Sequence, residues 1–139
     1  MSIKKILITG GAGMIGSSLT KALIHRNYDV TIIDNFWRGK IEYLNSNGKL
    51  ILPTSKIIKG DLTNLDFCKQ EIKNFDLVYH LADIVAGINY VFANQYDVWH
   101  KNILINTNVI KSSIENNIEN LIYVGTACSY PKEKQSSVG

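Results

Sequence analysis

The sequence predicts an α/β protein built on a doubly wound parallel sheet that is truncated after about five strands. Two observations lead to this fold class. Short runs rich in β-branched residues alternate with helical segments along the chain, which is typical of parallel strands joined by right-handed crossover helices. A glycine-rich turn also separates the first predicted strand from the first predicted helix.

The predicted elements alternate in type from one end of the chain to the other. The predicted strands are 3–9, 29–34, 56–59, 77–81 and 121–124. The predicted helices are 16–26, a short helix followed by a loop within 41–52, then 65–72 and 98–116. Such a sheet usually continues to a sixth strand, so we expect residues 1–139 to be an incomplete domain.

Apolar residues at helical spacing identify the predicted core faces of the two longest helices. In the helix 16–26 these residues are Leu19, Leu23 and Ile24. In the helix 98–116 they are Ile103, Ile110 and Ile114.

Composition narrows the class of protein. The chain has 139 residues, 45% of them hydrophobic and 19% charged, an ordinary globular balance. The net charge of +3 is not concentrated in any basic run, which disfavours nucleic-acid binding, and no apolar stretch is long enough to span a membrane. Cys68 and Cys128 lack metal-ligand spacing, so we expect no metal site and a reducing cytoplasm.

The glycine-rich turn predicts a phosphate-binding loop. Gly10 suits a sharp turn, Gly13 leaves room for phosphates, and Gly16 allows the helix to pack closely. At the helix start, Met14 and Ile15 would present main-chain N–H groups to an anion. Strand, glycine turn, helix and second strand together predict a Rossmann-type unit that binds the pyrophosphate of a dinucleotide.

Asp34, at the end of the second predicted strand, indicates which dinucleotide binds. Its carboxylate can accept from both ribose hydroxyls of adenosine. A 2′-phosphate at about 4 Å would meet a like charge at a cost of roughly 1–4 kcal/mol, which favours NAD over NADP. Two alternatives remain: Asp34-Asn35 is also a good turn former, and nearby Arg38 could accept a 2′-phosphate.

Several separated motifs carry a resemblance to a known family. They are Asp34-Asn35-Phe36-x-Arg38-Gly39-Lys40, Gly60-Asp61-Leu62 and His80-Leu81-Ala82. With the glycine loop, they resemble the extended short-chain dehydrogenase/reductase family of nucleotide-sugar epimerases, dehydratases and reductases.

The resemblance assigns further residues to the cofactor site. It implies that Asp61 and Leu62 flank the adenine, that Leu81 and Ala82 lie against the cofactor, and that Asn102 stands near the active site. Asp61 could instead cap the following helix. His80 is interpreted as a buried, hydrogen-bonded core residue rather than a catalyst.

The segment 124–132 resembles the corresponding stretch of the GDP-mannose 3,5-epimerase and GDP-fucose synthase branch, which favours a GDP-sugar substrate. The resemblance implies that Thr126 hydrogen-bonds the reacting sugar oxygen and that Cys128 moves a proton beside a keto group. Cys128 could instead be a small core residue. Within the segment 83–90, Asp83 and Ala86 differ from the residues that this branch usually has at those positions.

The resemblance implies the N-terminal, cofactor-binding part of an NAD-dependent nucleotide-sugar epimerase/dehydratase, homodimeric at full length. A hydride would pass from sugar to NAD and return after a change at the neighbouring carbon. The family's Tyr-x-x-x-Lys pair has no counterpart here, because Tyr130 and Lys134 match its spacing only by coincidence, so this chain alone is expected to be inactive. The alternatives are an NADPH-dependent epimerase-reductase like GDP-fucose synthase and a non-catalytic dinucleotide sensor or scaffold.

Overall fold

The computed structural model describes residues 4–125 and residue 131. The strands are β1 (Lys5–Thr9), β2 (Asp29–Asp34), β3 (Asn45–Ser46), β4 (Lys49–Leu50), β5 (Ile57–Lys59), β6 (Leu77–His80) and β7 (Asn120–Tyr123). The helices are α1 (Met14–His25), α2 (Leu65–Glu71), α3 (Ile88–Ala93) and α4 (Gln95–Glu115). Within the described residues, no helix is long and apolar enough to cross a membrane.

The main sheet has five parallel strands in the order β5-β2-β1-β6-β7, which confirms the predicted doubly wound fold class. From β1 the chain first winds to β2 and β5 on one side, then crosses to β6 and β7 on the other. Thr9, the last residue of β1, is in register with Ile33 on one side and His80 on the other. The strand order therefore reverses beside β1, the position where such sheets bind ligands.

The core lies on both faces of the sheet, because successive side chains of a strand point to opposite faces. Ile6 and Ile8 of β1 pack with Leu23 of α1 on one face. On the other face, Leu7 packs with Cys68 of α2 and with Val109 of α4. Burial on both faces explains why the central strands consist of continuous apolar residues.

The predicted elements occur close to where they were expected, with three main differences. Residues 41–52 form a 3-10 turn (Ile41–Leu44) and the small β3–β4 hairpin rather than a helix and a plain loop. The short helix α3 was not predicted, and α4 begins three residues earlier than expected, at Gln95. In α1 the predicted inward residues are confirmed, with Leu23 buried and both Leu19 and Ile24 packed against the core.

The predicted core face of α4 is wrong. Ile103, Ile110 and Ile114 are exposed, whereas Ile105 and Val109 are buried against the sheet and α2. At 100° per residue, the three exposed isoleucines form one stripe about half a turn away from the buried pair. Helical spacing therefore identified a real apolar stripe but not which side the sheet covers.

His80 confirms the structural interpretation made from the sequence. Its side chain is 1% exposed, its Nε2–H donates to Asn106 Oδ1 at 2.9 Å, and its Nδ1 accepts from Thr9 Oγ1–H at 2.7 Å. Both ring nitrogens are thus satisfied by uncharged partners. Burial lowers the pKa of His80 from 6.5 to about 4, so the ring is neutral at physiological pH.

This burial predicts a loss of stability in mild acid. The unfolded chain protonates His80 near pH 6.5 and the folded protein only near pH 4, so the stabilisation is complete above pH 6.5 and lost as the pH falls towards 4. Between pH 7 and pH 5 this one group should lower the free energy of unfolding by about 2 kcal/mol. Urea unfolding at the two pH values measures the difference.

A His80→Gln variant separates this effect from the titration of carboxylates elsewhere in the chain. Glutamine does not titrate, so the difference in stability between pH 7 and pH 5 should shrink by about 2 kcal/mol in the variant. An equal difference in both proteins would contradict the assignment to His80.

Candidate functional site

A groove opens where β1, β2, β5 and β6 end, beside the point at which the strand order reverses. It brings together residues from motifs that are far apart in the sequence, because the carboxyl ends of parallel strands meet at one edge of the sheet. The predicted site residues that line this switch-point groove are Gly10, Gly13, Asp34, Asn35, Arg38, Asp61, Leu62, Leu81 and Ala82.

The glycine loop fits against both the sheet and α1 only because side chains are absent. Gly10 adopts φ +70°, and a Cβ there would stand 2.9 Å from the main-chain nitrogen of Ala82. A Cβ on Gly16 would overlap the carbonyl oxygen of Gly10, so Gly16 permits α1 to pack on the loop itself. The expected turn at Gly10 and close approach at Gly16 are therefore both present.

The start of α1 can receive an anion. Gly13 is its N-cap, and the first N–H that bonds within the helix is that of Ser17, which donates to Gly13 O at 2.9 Å. The N–H groups of Met14, Ile15 and Gly16 precede it and have no intrahelical acceptor. Since Gly13 lines the groove, these donors and the helix dipole fit the pyrophosphate of a dinucleotide. The side chains of Met14 and Ile15 are exposed.

Asp34 has two roles in the structure. Its Oδ1 accepts from Phe36 N at 2.8 Å, so the alternative that it forms a turn is correct. Its Oδ2 accepts from Ala12 N at 2.9 Å and thereby ties the glycine loop to the end of β2. A carboxylate has about four lone-pair sites, so this one retains capacity for hydroxyl donors in the groove that it lines.

The segment after β5 is held by side chains that the sequence did not identify. Asn64, not Asp61, caps α2 by accepting from Phe67 N at 3.1 Å, so the capping alternative for Asp61 is wrong. Asp61 Oδ1 instead accepts from Thr63 N at 2.9 Å. From α4, the Nδ2 of Asn108 donates to the carbonyl oxygens of Leu62 at 3.0 Å and Thr63 at 2.9 Å.

Asn102 lies behind the groove rather than in it. Its Oδ1 accepts from Ile84 N at 2.7 Å, and its Nδ2 donates to Ile84 O at 3.3 Å. Ile84 itself lines the groove. The contribution of Asn102 in this structure is to position the segment after β6.

Two contacts connect the loop after β2 with the segment after β6. Arg38 Nη1 donates to Val85 O, and the rings of Trp37 and Tyr90 lie 5.5 Å apart between centroids. Trp37 and Arg38 both line the groove, so these contacts close one side of it. Trp37 occupies the unspecified position of the motif 34–40, and only its three-dimensional neighbours single it out.

Two further titratable groups differ in their access to the groove. Asp83 lines the groove, where partial burial raises the pKa of its carboxyl. Cys68 is fully buried, and burial raises the pKa of its thiol to about 12, so it remains protonated. The predicted catalytic residues Thr126 and Cys128 lie outside the described residues.

The chain also resembles known proteins in sequence. A model of the family described as "NAD dependent epimerase/dehydratase family" matches residues 6–138. UDP-N-acetyl-alpha-D-glucosaminuronate decarboxylase of Bacillus cytotoxicus is 32% identical over 93% of this chain and 38% of its own length. GDP-mannose 3,5-epimerase of Arabidopsis thaliana is 28% identical over 94% of this chain and 33% of its own length.

Solved structures agree with the sequence comparison. UDP-N-acetylglucosamine 4-epimerase of Methanobrevibacter ruminantium M1, in complex with UDP-N-acetylmuramic acid, matches with a TM-score of 0.81 at 32% identity, over 100% of this chain and 43% of that one. The Bordetella bronchiseptica enzyme WbmH, in complex with NAD⁺, matches with a TM-score of 0.76 at 28% identity, over 94% and 42%.

This chain thus spans less than half the length of the relatives that it matches. The match nevertheless includes the glycine loop, the strands of the main sheet except Lys5 at the start of β1, and the groove at their ends. The predicted cofactor, NAD, is the one in the family description. The chain belongs to the NAD-dependent epimerase/dehydratase family.

Proposed function

We propose that the switch-point groove binds NAD, with the pyrophosphate at the start of α1 and the adenosine ribose on Asp34. One observation carries this proposal: the N–H donors at the start of α1 and the buried carboxylate of Asp34 border the same groove. The hydrogen bond from Ala12 N to Asp34 holds the glycine loop and the carboxylate together. A pyrophosphate needs donors and a ribose diol needs an acceptor, so the two ends of the groove match the two chemistries.

The remaining groove residues complete the proposed site. Asp61 and Leu62 flank the adenine, while Leu81 and Ala82 lie along the cofactor at the end of β6. Asn35 lines the groove beside the proposed ribose position. The guanidinium of Arg38 donates to Val85 O. Because this hydrogen bond occupies the group that could accept a 2′-phosphate, it favours NAD over a cofactor that carries one.

The proposed activity of the enzyme to which this chain contributes is epimerase/dehydratase chemistry on a nucleotide sugar. Bound NAD would supply the acceptor for a hydride from a sugar carbon. Three of the four relatives named above carry the names of nucleotide-sugar enzymes, two for UDP-sugars and one for a GDP-sugar. The GDP preference rests on the Arabidopsis relative and on the resemblance of 124–132.

The proposed ribose site predicts a preference between cofactors. NAD should bind at least about tenfold more tightly than NADP, because a 2′-phosphate would face the Asp34 carboxylate. In Asp34→Asn, which removes the charge and leaves one side-chain oxygen to accept from Ala12 N or Phe36 N, the ratio of the two dissociation constants should fall towards one. Isothermal titration calorimetry of both cofactors measures the ratio.

Asp29→Asn is the matched control for that variant. Asp29 begins the same strand, far from the groove, where it pairs with Lys56 at 2.7 Å. The substitution removes the same charge without touching the proposed ribose site, so the ratio of the NAD and NADP dissociation constants should stay as in the wild type. Equal affinities in the wild type, or a ratio that changes alike in both variants, would refute the role of Asp34.

We also propose that Thr126 hydrogen-bonds the reacting sugar and that Cys128 transfers a proton at the carbon beside the transient keto group. In an active enzyme containing this chain, Cys128→Ser should lower deuterium incorporation from solvent into the sugar about a hundredfold or more, the lower range for loss of a general acid–base. NMR of the sugar measures the incorporation. Cys68→Ala is the matched control, since that thiol is buried, and full exchange in Cys128→Ser would reject the proposal.

We propose that the full-length enzyme is a homodimer in which two copies meet through the exposed face of α4. Its apolar stripe, here called the α4 stripe, consists of Tyr96, Trp99, Ile103, Ile110 and Ile114. The α4 stripe runs almost the whole length of the helix, and contiguous exposed apolar surface of this kind marks an interaction site. An antiparallel pair of such helices would cover both copies of the stripe in a self-complementary contact.

A charge in the α4 stripe should weaken this association. Ile103→Asp is expected to raise the dimer dissociation constant about tenfold or more in sedimentation equilibrium, because a buried unpaired carboxylate is costly. Ile41→Asp is the control: Ile41 has the same 40% exposure as Ile103 but lies on the 3-10 turn after β2. An unchanged constant in Ile103→Asp, or equal effects of both substitutions, would count against this interface.

A further inference from the structure

A continuous series of buried and partly buried hydrogen bonds connects α4 to the groove through two strands. His80 Nε2–H donates to Asn106 Oδ1 at 2.9 Å, so its Nδ1 is the acceptor for the hydroxyl of Thr9 at 2.7 Å. The oxygen of that hydroxyl then accepts from Ala82 N at 3.3 Å. These donor and acceptor assignments are consistent with one another. The series of hydrogen bonds ends at the main-chain N–H of Ala82, which lines the groove.

This series of hydrogen bonds holds Ala82 at the point where regular pairing of the sheet stops. Leu81 N donates to Thr9 O at 3.2 Å, which is the last main-chain bond between β1 and the segment after β6. The N–H of the next residue, Ala82, lies beyond the end of β1 and donates to the side-chain oxygen of Thr9. A buried N–H without an acceptor is costly, so the hydroxyl determines where this peptide lies.

The position of Ala82 matters because it touches the phosphate loop. A Cβ on Gly10 would stand 2.9 Å from Ala82 N and 3.0 Å from Ala82 Cα, so the two segments are in direct contact. Two residues further on, Ile84 is held by Asn102, also from α4. A shift of Ala82 would therefore change the shape of the groove next to the loop at 10–16.

We infer that Thr9 and His80 are positioning residues, which act through Ala82 to keep the groove in the shape that binds the dinucleotide. This inference rests on the proposed NAD site. Neither side chain lines the groove, and the effect of each on the cofactor is transmitted by the main chain of Ala82. His80 contributes as a neutral ring that donates at one nitrogen and accepts at the other.

Thr9→Val is the sharpest test, because valine has the shape of threonine but cannot accept from Ala82 or donate to His80. We expect the dissociation constant of NAD to rise about tenfold, the factor that corresponds to about 1.4 kcal/mol, the scale of one buried hydrogen bond. Thr9→Ser keeps the hydroxyl and should return the constant to within about twofold of the wild type. Calorimetry on the 139-residue chain measures all three proteins.

Asn116→Ala distinguishes positioning from general loss of stability. Asn116 follows the far end of α4 and donates to Lys69 O at 3.0 Å and Ile72 O at 2.6 Å, away from the groove. This variant should lose stability in urea unfolding and keep the wild-type affinity for NAD. An unchanged affinity in Thr9→Val, or an equal loss of affinity in Asn116→Ala, would overturn the inference.

A measurement without cofactor separates failure of the inference from failure of the proposed function. Hydrogen exchange of the Ala82 amide, followed by NMR, should be about tenfold faster in Thr9→Val and close to wild type in Thr9→Ser. The ¹⁵N shifts of His80 should show the neutral tautomer protonated at Nε2. Wild-type protein that binds no NAD would refute the proposed function, whereas an Ala82 amide that exchanges equally in all variants would refute the positioning chain itself.

Discussion

The structure depends on the simultaneous pairing of β1 with β2 on one side and β6 on the other. Since all three strands are parallel, the register of Thr9 with Ile33 and His80 brings three strand ends to the same level. The segments that follow these three ends and the end of β5 line the switch-point groove. Every candidate binding residue in the described part of the chain lies at the end of one of these strands, in a segment that follows one of them or β5, or at the start of α1, apart from Asn102 on α4.

Polar side chains in the groove and behind it fix the loops that form it. Asp34 ties the glycine loop to the turn after β2, while Asn108 and Asn102 hold the segments after β5 and β6 from α4. Loops that bind ligands are otherwise the least stable parts of a protein. These bonds give the groove a defined shape before any ligand arrives, which lowers the cost of binding.

The sequence predicted the fold more completely than the site. The glycine loop and Asp34 were identifiable because turn chemistry and strand ends are local properties of the sequence. Asn106 and Asn108 carry no such local signal, because their partners lie at least 26 residues away along the chain. Trp37 was missed for the same reason: only the folded chain brings it beside Tyr90.

The sequence by itself determined the order of the five main-sheet strands along the chain, the glycine loop at 10–16 and the carboxylate at the end of β2. These follow from periodicity and from the conformational freedom of glycine, which depend on neighbours in the chain. The tertiary structure alone decided which side of α4 is buried, since Ile103 and Ile105 are equally apolar and only contact with the sheet distinguishes them. It likewise decided that His80 is neutral and fully hydrogen-bonded, because its burial and both of its partners come from other elements of the fold.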